Sequence, residues 1–338
     1  MIRLRSTAAW AVLSLGALGL TLVPARARPA APAAAAVRVG LVFDVGGRGD
    51  KSFNDAAYEG AKRAERELGA AVTFVEPTGA EDRESALRLF AARGYDLVLG
   101  VGFIFSSDVD AVARDFPTVK FACVDYALPA PPANVAGLSF REEEGSFLVG
   151  ALAGIESKTH HVGFVGGMVG PLIRRFEVGF AAGVRATCPA CVIDAAYAGT
   201  SPDAYRDPLK GKSLASAQIG RGADILFHAA GATGHGVFEA AKDHGVRAIG
   251  VDSDQYDEMP GAVMTSMIKR VDVAVFDTVK RVGEGTFVGG AQRYGLAEDG
   301  VDWIKDGPHA ALITPEARAR VEALKQRIVD RALVVPRD

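Results

Sequence analysis

The sequence predicts an α/β protein built from two doubly wound, Rossmann-like lobes. From Val37 onward, apolar β-rich runs alternate with amphipathic helical stretches. The apolar runs are continuous, as in parallel sheets covered by helices on both faces. They also fall into two β/α series, with a strand-like crossover at Asn134–Arg141 between them. Two sheets of ordinary width fit this count better than one very wide sheet.

The first series places strands at Val37–Phe43, Ala71–Val75, Leu97–Val101 and Lys120–Val124. The second places them at Val162–Val165, Cys191–Tyr197, Ile225–His228 and Ala248–Val251, with a further strand at Val263–Ile268. Helices are predicted over Asn54–Leu68, Ala80–Ala92, Ser106–Asp115 and Glu142–Glu156, then Ile173–Cys188, Lys210–Arg221, Gly234–His244 and Val271–Gly283. A last helix runs from about Pro315 to Ala332.

The first 27 residues read as a cleaved secretory signal. Arg3 and Arg5 precede the apolar run Ala8–Val23, and Ala25-Arg26-Ala27 supplies small residues for cleavage near Ala27. The run is short of the roughly 20 residues that a spanning helix needs. No cysteine lies near the cleavage point to accept a lipid. The expectation is a protein released into the periplasm, neither a lipoprotein nor inserted in the membrane. Residues 28–36 are rich in Pro and Ala and read as a disordered leader. Cleavage removes three arginines and no acid, which takes the formal charge from −3 to −6. A dispersed, mildly acidic charge gives no footprint for nucleic acid or an anionic membrane.

Cys188-Pro-Ala-Cys191 has the spacing of a redox or half-zinc site. A zinc site needs four ligands, and the chain offers no second such pair. A local disulfide, or two free thiols in a turn, is the reading that remains. The six histidines are scattered, with His228 and His235 placed near the cleft. Neither a metal site nor a cofactor is expected.

Open α/β sheets bind ligands beyond the carboxyl ends of their strands. Those ends carry Asp44, Gly100–Gly102, Asp125, Gly166–Gly167, Ala229–Gly231 and Asp252. Ionised aspartates are acceptor-only, and three at strand ends suit a neutral ligand with several hydroxyls, a sugar or a nucleoside. The first turn, Asp44 to Asp55, superficially resembles a phosphate loop. Asp50 stands where that loop needs glycine before Lys51 and would repel phosphate. Phe53 is placed to stack on a planar base or to staple the helix it introduces, and Asn54 to pair with a base edge or to cap that helix.

Six stretches occur in order: DVGGRGDKSFNDAAY from Asp44, Phe103-Ile104-Phe105, Gly166-Gly167-Met168 with Phe176 and Gly179-Phe180, Ala229–Gly234, Gly250–Gln255 and Thr265–Lys269. Together they resemble the basic-membrane-protein family of transporter-associated binding proteins, of the purine nucleoside receptor type, over about residues 37 to 332. The resemblance implies a type I periplasmic-binding fold with two lobes and a three-strand hinge. One lobe would hold 37–138 and about 267–290, the other 139–266 and about 291–332. It also implies a nucleoside ligand, an ABC permease as recipient, and a monomer. Carried over by motif, Asp44, Phe53, Asn54, Asp125, Asp252 and Lys269 contact the ligand. Asp252 and Lys269 would hold the ribose, and Phe53 would stack on the base. Gly231 falls in the same set, and Phe176 is the expected second stacking ring. The main alternative is an exported nucleoside or glycoside hydrolase using paired carboxylates. A ligand-responsive repressor would need a DNA-binding segment where the signal stands.

Overall fold

The structure is a computed structural model and describes residues 36–77 and 80–338. The signal sequence and all but the last residue of the predicted leader lie outside the described residues. From its start the chain runs through β1 (Arg38–Val42), α1 (Phe53–Leu68), β2 (Ala71–Val75), α2 (Ala80–Ala92), β3 (Leu97–Val101), α3 (Ser106–Asp115), β4 (Lys120–Val124) and β5 (Val135–Phe140). It continues through α4 (Glu142–Glu156), β6 (His161–Met168), α5 (Pro171–Thr187), β7 (Val192–Gly199), α6 (Pro208–Gly220), β8 (Ile225–Ala229), α7 (Gly234–His244), β9 (Arg247–Asp252) and β10 (Val263–Lys269). It ends with α8 (Val271–Gly283), β11 (Gly290–Tyr294), β12 (Val301–Trp303) and α9 (Pro315–Val329).

These strands form two six-stranded sheets, in the orders β11-β5-β4-β3-β1-β2 and β12-β10-β9-β8-β6-β7. Every pairing in the first sheet is parallel. In the second only β12 runs antiparallel, against β10. The central strands β3 and β8 are buried along their whole length, whereas the edge strands β2 and β7 are half exposed. Burial on both faces removes the polar alternation and leaves the continuous apolar runs seen in the sequence. α1 buries Asn54, Ala56, Ala57, Gly60, Ala61 and Ala64, one face at helical spacing, and ends on left-handed Gly69.

The predicted crossover at Asn134–Arg141 is β5, a full member of the first sheet. Sequence reading missed β11 and β12. Both are short edge strands, and the alternating exposure of β11 offers no apolar run to detect. The chain passes between the sheets three times, at β5–α4, β10–α8 and β11–β12. Two of these passages are tied together where the Arg141 N–H donates to the Tyr294 carbonyl at 2.9 Å. At the third, the Arg270 N–H donates to the Gly300 carbonyl at 2.8 Å. Cys188 and Cys191 are joined in a disulfide between α5 and β7. Among the described residues, no helix is long and apolar enough to cross a membrane.

Candidate functional site

The carboxyl ends of the two sheets face one cavity, where open α/β sheets bind their ligands. All eight residues singled out from the sequence line it: Asp44, Phe53, Asn54, Asp125, Phe176, Gly231, Asp252 and Lys269. His228 and His235 do not. His228 belongs to β8 and packs against Phe238, and burial pushes its imidazole down to about 4, so it is neutral. His235 is half exposed and pairs with Glu258 at 3.3 Å.

Each acid is held differently. Asp44 follows β1, and its Oδ1 accepts from the Val45 N–H at 2.6 Å. Burial pushes its carboxyl up to about 7, against the pull of that N–H. Its other oxygen approaches the end of β3 so closely that a Cβ on Gly102 would stand 2.2 Å from it, and Gly102 has φ +109°. Only glycine fits both constraints. Asn54 braces the same loop, accepting from the Asp44 N–H at 3.1 Å and donating to Asp50 Oδ2 at 3.0 Å.

Asp125 and Asp252 both adopt left-handed backbone, with φ 60° and 66°. In each, one oxygen is engaged. Asp125 Oδ2 accepts from Lys269 Nζ at 2.7 Å, and Asp252 Oδ2 accepts from Ser52 Oγ at 2.8 Å. In each, the other oxygen, Oδ1, is buried without a hydrogen-bond partner among the described residues. Burial lifts the Asp252 carboxyl to about 6, although Lys269 opposes the shift.

Lys269, only 2% exposed, closes β10. Its direct partners are Asp125 at 2.7 Å and Glu142 at 3.5 Å, with Asp252 acting on it from farther away. Glu142 opens α4 directly after the first passage between the sheets, which brings it to the ammonium. Burial pushes its carboxyl up to about 7, with Lys269 pulling it back. Burial alone would lower the Lys269 ammonium; Asp125, Glu142 and Asp252 overcome that and raise it. The rings of Phe53, Phe140 and Phe176 lie 5.0, 5.1 and 5.6 Å from Nζ, within cation–π range.

Sequence reasoning missed Tyr205 and Glu142 and left Phe103 outside the site. Tyr205 ends a 3₁₀ turn, Pro202–Tyr205, between β7 and α6. Its ring packs so tightly on Gly167 that a Cβ there would stand 2.3 Å away. The strand-end rule could have found it, because it follows β7 at the same edge as the other site residues. Leu172, Ile173, Ala229 and Ala230 complete an apolar wall from the second lobe.

Two lobes with parallel sheets and a cavity at the facing strand ends define a solute-binding protein. The chain belongs to the family of PnrA-like ABC transporter substrate-binding proteins, whose model matches residues 37–336. It is 38% identical to the CD4+ T-cell-stimulating antigen of Listeria monocytogenes, over 88% of this chain and 87% of that one. It is 32% identical to the ABC transporter nucleoside-binding protein BmpA of Lactococcus lactis, over 89% of each. A solved solute-binding protein of an ABC transporter system from Aeropyrum pernix superposes with TM-score 0.82 at 32% identity, covering 89% of this chain and 94% of that one. The fold is thus the type I periplasmic-binding architecture that the sequence implied.

One expectation is corrected by these relatives. An uncharacterized lipoprotein of Pyrococcus abyssi is 37% identical over 80% of this chain and 70% of its own length. Membership of a family that includes lipoproteins overturns the reading of a protein that is not a lipoprotein. That reading rested on the missing cysteine in one short segment, which lies outside the described residues.

Proposed function

We propose that this substrate-binding protein captures a nucleoside, with a purine as the expected base, and delivers it to an ABC permease without turning it over. The observation that carries the reading is the pair of buried, unpartnered carboxylate oxygens, Asp125 Oδ1 from one lobe and Asp252 Oδ1 from the other. Buried acceptors of this kind are nearly always satisfied. A ligand with hydroxyl or amino hydrogens on two sides satisfies both at once, and only while the lobes are together.

The rest of the cavity suits a flat, partly apolar partner. Phe53, Phe176 and Tyr205, which all line the cavity, are the proposed rings for the base. Asp252 and Lys269 are the proposed ribose contacts, with Gly231 leaving room for the ligand. Asp44, Asn54 and Asp125 are the proposed polar contacts of the first lobe. The lobes proposed here are 37–140 with 271–294, and 141–269 with 295–335, acting as a monomer. The nucleoside-binding relative from Lactococcus lactis supports the ligand class.

Mass spectrometry of small molecules released from purified, denatured protein is the test. The expected result is a nucleoside at near-stoichiometric level. A retained sugar or amino acid would reject the ligand class, and release of free base on incubation with nucleosides would favour a hydrolase.

A further inference from the structure

Ser52 occupies the N-cap of α1, where a serine hydroxyl ordinarily accepts from the first free N–H groups of the helix. Its side chain makes no such bond. Asp50 caps the helix instead. Its Oδ1 accepts from the N–H groups of Ser52 and Asp55 at 3.0 and 3.1 Å, and its Oδ2 from that of Asn54 at 2.8 Å. The hydroxyl so released is buried and directed to the other sheet. There it meets Asp252 Oδ2 at 2.8 Å and the Val251 carbonyl at 3.1 Å. Ser253 answers from the second lobe, its hydroxyl donating to the Ser52 carbonyl at 3.3 Å.

We infer that Ser52 and Ser253 form a latch between the lobes that favours the closed state before any ligand arrives. Ser52 is also a positioning residue, because it occupies one oxygen of Asp252 and leaves the other for the cavity. The latch is made of protein groups alone, so its contribution does not depend on what the cavity holds. When the lobes part, water replaces each bond, so the bias toward closure is modest and the site still opens. A binding-competent state that is only partly populated weakens apparent affinity in proportion. Loss of a hydrogen bond to a charged group should therefore weaken binding by roughly tenfold, mainly through faster dissociation.

The proposal rests on the cavity being a ligand site, but its test needs no ligand. Spin labels at Glu67→Cys on α1 and Leu209→Cys on α6 would report the distance between the lobes. The Glu67 side chain is 50% exposed and Leu209 81% exposed. In ligand-free protein, Ser52→Ala and Ser253→Ala should each shift the distance distribution toward longer values, with the melting temperature unchanged because Asp50 still caps α1. Identical distributions in wild type and both variants would overturn the latch. So would a lowered melting temperature with no change in distance, which would mark Ser52 as a packing residue. If nucleosides fail to bind wild type while the distances still shift, only the ligand reading falls.

Discussion

The two lobes are one backbone plan carrying two chemistries. β4 and β9 hold the same place in their sheets, and each is completed by an aspartate in left-handed backbone, Asp125 and Asp252. β3 and β8 likewise correspond, and each is followed by a 3₁₀ turn leading straight into a helix, α3 or α7. Elsewhere the equivalence fails. β1 leads to Asp44, but its counterpart β6 ends on Gly166, Gly167 and Met168. β5 ends on Phe140, but β10 ends on Lys269. The scaffold thus repeats the carboxylate, whereas the cation belongs to the second lobe and the bracing loop Asp44–Asn54 to the first. A cleft built this way can hold a ligand whose two sides differ.

The largest effect should come from the unrepeated cation. Lys269→Met strips Asp125 of its buried ammonium partner and leaves Glu142 paired with Arg175 at 3.4 Å. Breaking a buried pair on one side costs about 3–5 kcal/mol. Urea denaturation should show a loss of that order. A loss under about 1 kcal/mol would mean that the acids simply take up protons.

Next comes the repeated acid. Asp252→Ala should weaken nucleoside binding by about ten- to a hundredfold, from the roughly 1.5–3 kcal/mol of hydrogen bonds to a charged group. Its unfolding should change less than that of Asp125→Ala, since Asp125 also holds Lys269. Calorimetry and denaturation on both variants separate the two acids, and equal losses in both measurements would erase the distinction drawn here. On the apolar side, Tyr205→Ala and Phe53→Ala should each cost about 1–3 kcal/mol of binding if a base stacks on them. Unchanged affinity in Tyr205→Ala would remove it from the site.

The pH dependence has opposite signs for folding and binding. Asp44, Glu142 and Asp252 have carboxyls raised to about 7, about 7 and about 6. The folded protein therefore takes up protons that the unfolded chain does not. Their contribution to stability is present below about pH 4 and is lost as pH rises through 6 to 7. A ligand that donates hydrogen bonds needs Asp252 ionised, so affinity should instead rise by up to about tenfold between pH 5 and 7. Asp252→Asn should flatten the binding profile. A profile that stays as steep in this variant would place the titrating group elsewhere.

The sheets were legible because buried parallel strands leave long apolar runs, and the cavity because glycine and aspartate mark where those runs stop. What the sequence hid was pairing made by tertiary contact. β11 and β12 have no pattern of their own to read and exist through the strands beside them. Glu142 looks like any helix-opening acid until the passage between sheets carries it to Lys269. Tyr205 lies six residues beyond β7, so the strand-end rule reaches it only when the whole turn after the strand is read. The direct ion pair of Lys269 with Asp125 was hidden, because two matched aspartates face it and spacing along the chain does not choose between them.

A nucleoside held between acids from both lobes must use its base and its ribose at once. Titration calorimetry on protein stripped of bound small molecules tests it most directly, with a purine nucleoside, its free base and ribose as three separate ligands. The nucleoside should bind far more tightly than either part, because only the whole molecule reaches the aromatic rings and both unpartnered carboxylate oxygens. Ribose or free base binding as tightly as the nucleoside would contradict it.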